Sequence, residues 1–231
     1  MSGFLGNLPK FRPGALALVV LTIAATAIVG DQPLGDALRL HPGALVSGGG
    51  LWQPITANFV FPATSVGFVI GTLLIQWFVG SQLEGFWGTR KYVTLVLGCG
   101  IAGFLVYALV SPYVPAVVHG GSTAMDVAAL TAFGVVYGAR EMPLFGAVVL
   151  KARTIAMILI FINAVVPILR GQPWPLAIPW FIAIAGGWLA TAQPWRRGGT
   201  ARRSSSSTPR SAPKTRAKPS HLKVVKDDLP N

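Results

Sequence analysis

The chain has 231 residues, 52% of them apolar and only 11% charged, with a mean hydropathy of +0.60. That balance excludes an ordinary soluble domain, and a single cysteine, Cys99, excludes a disulfide framework. The formal net charge of +12 sits mostly at one end: residues 196–231 hold ten Lys/Arg against two Asp, which accounts for +8 of it.

A helix that crosses a bilayer needs about 20 apolar residues. In chain order, Gly14–Gly30 reads as a short first span. Ile55–Val79 reads as a second, uncharged throughout but containing Pro62. Tyr92–Val110 is the third. Gly121–Gly138 is the fourth and carries one internal charge, Asp126. Thr154–Leu169 is a short fifth, extended by Lys151 and Arg153 if their long side chains snorkel. Trp174–Pro194 is the sixth. The expected fold is an all-α membrane protein: an N-terminal segment 1–13, a six-transmembrane-helix bundle over 14–195 and a basic tail, 196–231.

The connection 31–54 holds Pro33, Pro42 and a Gly48-Gly49-Gly50 run, which rules out a continuous helix there. A short amphipathic piece, Leu34 to Leu45, is expected to lie in the interface. Trp52, Trp87, Trp174, Trp180 and Trp195 fall at or near span ends, where aromatic belts form. With the N-terminus inside, the inner segments carry Lys10, Arg12, Arg90, Lys91, Arg140, Lys151 and Arg153, and the outer loops only Arg39 and Arg170. The Lys/Arg bias therefore places both ends in the cytoplasm, and with no sorting signal read from the sequence the expected location of the multi-pass chain is a plasma membrane. Ala25-Thr26-Ala27 mimics a signal-peptide cleavage pattern. Removal there would leave five spans and put the tail on the wrong side, so the segment is read as a span.

The tail is rich in Ser, Pro, Lys and Arg, with a Ser204–Ser207 run, and has too little apolar surface to bury a core. It is expected to be disordered and to hold anionic lipid headgroups, each basic residue near the surface contributing about 1 kcal/mol. It has no interleaved aromatics, so no nucleic acid partner is expected.

Chemistry-bearing residues cluster at the start of the fourth span. Gly120-Gly121-Ser122 sets a serine at a helix start behind two glycines. A serine nucleophile needs a neighbouring base. None of His41, His119 and His221 lies in a span, so the substitute candidates are His119, three residues before the serine, and Asp126, one helical turn after it. A carboxylate at membrane depth costs about 2.5–3.5 kcal/mol to insert and marks a functional candidate by default. Its structural alternative is a hydrogen bond to a neighbouring helix, with Thr94 or Asn163 as partners to consider. No metal or cofactor set is read from the sequence.

Three motifs, taken with the order of the six spans, resemble the rhomboid superfamily. They are Trp52-Gln53-Pro54-Ile55-Thr56, Gly80-Ser81-Gln82-Leu83-Glu84 followed by Trp87-Gly88-Thr89-Arg90-Lys91, and Ala183-Ile184-Ala185-Gly186-Gly187. The resemblance implies a serine nucleophile at Ser122 and a lateral opening beside the second and fifth spans that admits a transmembrane segment. It also exposes departures. The family's Trp-Arg is Trp52-Gln53. Its His-x-x-x-Asn pair, which in active members supplies donors around the oxyanion, falls on Phe68 and Thr72. The glycine after the serine is Thr123, the aromatic four residues on is Asp126, and the catalytic histidine is Ile184.

These departures imply a non-catalytic member that binds transmembrane segments or membrane-protein partners, with a drier interior where Phe68 and Thr72 replace polar groups. The alternative is an intramembrane serine protease using Ser122 with His119 or Asp126. A solute transporter is disfavoured by the lack of an inverted repeat or a second intramembrane charge.

Overall fold

A computed structural model of the chain describes residues 10–62, 65–144 and 148–192. The basic tail 196–231 lies outside those residues.

Helix α1 (Pro13–Val29) opens on a proline, whose missing N–H is no loss in a first turn. Its next two amides, Gly14 and Ala15, donate to the two carboxylate oxygens of Glu84 at 2.9 and 2.8 Å. Thr89 Oγ1 donates to the same carboxylate at 2.6 Å. Glu84 is buried, and its charge faces the positive end of the α1 dipole. The Leu83-Glu84 motif thus performs a capping task for a helix far from it in sequence.

The connection after α1 folds as three short helices, α2 (Pro33–Leu38), α3 (Pro42–Val46) and α4 (Gln53–Thr56), each with proline in its first turn. The piece expected over Leu34–Leu45 is therefore two helices, broken at Arg39–His41 ahead of Pro42. Leu34, Val46, Leu51 and Trp52 are exposed on this connection. Its inner side is tied down by reciprocal backbone bonds between Leu40 and His119, at 2.8 and 3.0 Å. Gln53, where the family has arginine, accepts from the His41 amide at 3.0 Å and donates to Ala37 O at 3.3 Å. Thr56 Oγ1 donates to Leu38 O at 2.8 Å.

The second apolar stretch departs from expectation. Residues 60–62 are non-helical, and the helix begins at Val66, well after Ile55. Pro62 explains the break, because it cannot donate within a helix and disfavours a helical residue before it. From there α5 (Val66–Ile75) continues through a π-helical turn, Gln76–Gly80, into α6 (Ser81–Trp87). The chain then reverses at Gly88, whose φ of +80° is a glycine conformation.

Helix α7 (Thr89–Val110) follows, and then α8 (Thr123–Val136). Every α8 residue from Thr123 to Phe133 is buried, so this helix is enclosed on all sides and forms the centre of the bundle. Between it and the next helix the all-α expectation is corrected. Strands β1 (Glu141–Leu144) and β2 (Val148–Lys151) pair antiparallel, from Glu141 opposite Lys151 to Leu144 opposite Val148. Pro143 bars a helix there, and β-branched Val148 and Val149 favour extended backbone.

Helix α9 (Ala152–Ile160), a second π-helical turn at Phe161–Val165 and α10 (Val166–Leu169) run on from the hairpin. After a 3₁₀ turn at Trp174–Ala177, α11 (Ile178–Ala192) closes the described chain. It lies close to α7 and α8 because small residues meet there. A Cβ on Gly103 would sit 2.7 Å from Pro179 O, and one on Gly187 2.9 Å from Ala128 O. Among the described residues, three stretches are long and apolar enough to cross a membrane: Thr89–Tyr113, Ala152–Leu169 and Trp174–Ala192. Helices α1 and α8 are apolar but shorter.

Candidate functional site

The site is built around the loop that enters α8. Gly121 takes φ +106°, and its amide donates to Ala57 O at 2.7 Å. A side chain at this position would overlap the ring of Phe61, so only glycine fits the turn. Ser122 follows at the N-cap position of α8, yet its hydroxyl does not cap the helix.

Instead the hydroxyl turns to side chains of two spans. Ser122 Oγ lies 2.6 Å from Thr72 Oγ1 and donates to Asp126 Oδ2 at 3.1 Å. Thr72 Oγ1 donates to the same oxygen at 2.6 Å, and Gln76 Nε2 donates to Asp126 Oδ1 at 2.8 Å. Tyr92 Oη in α7 donates in turn to Gln76 Oε1. All five side chains are buried: Ser122, Gln76 and Tyr92 are 0% exposed, Asp126 2% and Thr72 4%. A carboxylate buried this deeply is tolerable only when donors surround it, and three do.

Thr72 and Gln76 are four residues apart and so share one helical face. That spacing of two polar residues in an otherwise apolar run was the available sequence signal for Asp126's partners. The two partners considered from sequence lie elsewhere: Thr94 is exposed, and Asn163 Nδ2 donates to Leu159 O at 2.8 Å. At Thr72 a polar group is retained, and its hydroxyl donates to Asp126 Oδ2.

His119 is placed differently. Its backbone pairs with Leu40, and its ring packs against Phe104 at 5.1 Å and against Tyr107 and Trp180 at 6.1 Å each, centroid to centroid. Burial among these rings holds the imidazole at a pKa of about 4, well below its usual range. Tyr107 Oη fastens the same loop by donating to Val117 O and accepting from its amide, both at 2.9 Å.

The positions where the resemblance places the rest of a protease site carry other groups. Phe68 stacks on Phe61 at 6.4 Å, and Phe61 lies against Gly121. Ile184 is a half-buried aliphatic side chain of α11. Thr123 is buried in the first turn of α8. Chemically, Ser122 has one carboxylate in reach, and that carboxylate is already engaged by two other donors. Such an acceptor is a weak base for an alkoxide. Among the described residues, no group of three or more His, Cys, Asp and Glu is placed to hold a metal ion.

No curated protein matches the chain. The family model for the Rhomboid domain matches residues 48–192, from the start of the glycine run to the last residue of α11, which is more than half of the sequence. The chain therefore belongs to the rhomboid family of membrane proteins.

Proposed function

We propose that this rhomboid-family protein crosses a plasma membrane six times with both ends in the cytoplasm, and acts without catalysis by binding a transmembrane segment or a membrane-protein partner. The carrying observation is the closed network at Ser122. Its hydroxyl is fully buried between Thr72 and Asp126, while the family's histidine position holds Ile184. A serine without an imidazole lacks most of the acceleration of acyl transfer, even where backbone amides stabilise an oxyanion.

Exposed apolar side chains on the second and fifth apolar stretches support a binding role. Ile70 and Leu74 of α5 and Phe78 of the turn after it are exposed, as are Met157 and Ile158 of α9 and Phe161 and Ile162 of the turn that follows. Each stretch also contains one π-helical turn, a feature frequent at functional sites. The tail, by its charge, is a leash for anionic headgroups.

A second reading keeps Ser122 as a nucleophile with Asp126 as its base, favoured by the 3.1 Å contact between them. Fluorophosphonate labelling of the purified full chain, wild type against Ser122→Ala, separates the two. The binding role expects no Ser122-dependent label, together with a photocrosslinker at Ile70 or Ile158 that captures a membrane protein. It also expects a bulky residue at Gly186 or Gly187 to reduce that capture. Label that disappears in both Ser122→Ala and Asp126→Asn overturns it in favour of the protease.

A further inference from the structure

A cleft at one end of the bundle lies apart from the serine network. It is a shallow, open depression between the first two turns of α7 and the last turn of α11, lined by Arg90, Lys91, Thr94, Leu95 and Ala190. Its rim carries two adjacent cations and a hydroxyl. Its floor is apolar and belongs to two helices that are each long and apolar enough to cross a membrane. Lys91 is steadied by the ring of Trp87, with Nζ 4.9 Å from the ring centroid.

We propose that this cleft binds one anionic phospholipid. Arg90 and Lys91 hold the headgroup phosphate, Thr94 Oγ1 donates to one of its oxygens, and an acyl chain lies over Leu95 and Ala190. Three observations select this occupant. The cations demand an anion, and a basic pocket between transmembrane helices at the membrane surface is a recognised headgroup site. The depression is open rather than enclosed, so a headgroup enters it directly from the membrane surface. The apolar floor gives a hydrocarbon chain somewhere to lie, which a free phosphate does not use. The chain's own tail is disfavoured, since residues 196–231 carry a net +8 and would meet two more positive charges. The assignment is independent of whether Ser122 is catalytic.

The test is native mass spectrometry of the full chain, released from mild detergent after equilibration with phosphatidylglycerol or phosphatidylcholine. Wild type is expected to retain a phosphatidylglycerol adduct in preference to phosphatidylcholine. Arg90→Ala/Lys91→Ala is expected to weaken that adduct about thirtyfold, from the loss of two surface cations. Arg140→Ala/Arg153→Ala removes two other cations and is expected to leave the adduct in place. Ala190→Phe fills the floor without changing charge and is expected to lower retention severalfold, which separates the cleft from a general charge effect. Equal loss in both arginine-containing double variants overturns the assignment. So does an adduct untouched by Arg90→Ala/Lys91→Ala, or a site that holds inorganic phosphate as firmly as the lipid.

Discussion

Thr72 donates its hydroxyl to Asp126 Oδ2 at 2.6 Å and so joins α5 to α8 through the interior of the bundle. Hydrogen bonds between membrane helices average about 0.6 kcal/mol in double-mutant cycles and reach about 1.7 kcal/mol. This one is buried and ends on a charge-bearing group, so the Thr72→Val/Asp126→Asn cycle should show coupling near the upper figure. Equilibrium unfolding in mixed micelles measures it. Additive single-mutant effects would separate the two residues energetically.

Ser122→Ala is expected to be milder. Asp126 keeps Thr72 and Gln76 as donors when the serine hydroxyl is lost. The loss should be under about 1 kcal/mol, the net worth of an ordinary hydrogen bond. Gln76→Leu should cost more, about 2 kcal/mol, because it strips Asp126 Oδ1 of its donor and Tyr92 Oη of its acceptor together. Unfolding midpoints of the two variants, compared side by side, test the ordering.

Glu84→Ala removes the acceptor of two α1 amides and of Thr89. Capping losses of this kind run to about 2 kcal/mol. Hydrogen exchange at Gly14 and Ala15 should rise before any change is seen in α8.

His119 gives the chain an acid-sensitive element outside the spans. Its folded pKa of about 4 lies below the ordinary value of 6.5, so the unfolded chain binds more protons between those two pH values. Stability therefore rises with pH across that window, and falls by up to about 3 kcal/mol on acidification from 6.5 to 4. Comparing the unfolding pH profile of wild type with that of His119→Gln isolates this contribution. The variant's profile should be flatter over the same window.

Gly121→Ala combines a positive φ with a Cβ inside the Phe61 ring. It should destabilise by about 2–3 kcal/mol and shift the loop that carries Ser122. Gly98→Ala, where nothing lies within 4 Å, is the control and should be neutral or slightly stabilising. Thermal unfolding of both variants checks the contrast.

Much of the fold was legible because apolar length and proline punctuation are strong local signals. The first, third and fourth apolar stretches fall within a few residues of α1, α7 and α8. The second misled because the run from Ile55 is apolar throughout, and composition does not say that residues before Pro62 leave the helix and pack with the connection that follows α1. The hairpin was hidden by the flanking Lys151 and Arg153, which read equally well as snorkelling ends of a helix. At the site, Ser122 and Asp126 stood out as a serine behind two glycines and a lone charge. Gln76 and Tyr92 did not, because one polar amide and one tyrosine in apolar runs are common. Only their approach across three helices makes them a network.

The cap on α1 also bears on biogenesis. The acceptor for Gly14 lies 70 residues downstream, at the end of the next long helical segment. At roughly 5–20 residues per second, a ribosome needs about 4–14 s to travel that distance. For that interval the Gly14 and Ala15 amides lack the carboxylate that caps them in the finished fold. The N-terminal cap of α1 therefore forms only after the second long helical segment has been made.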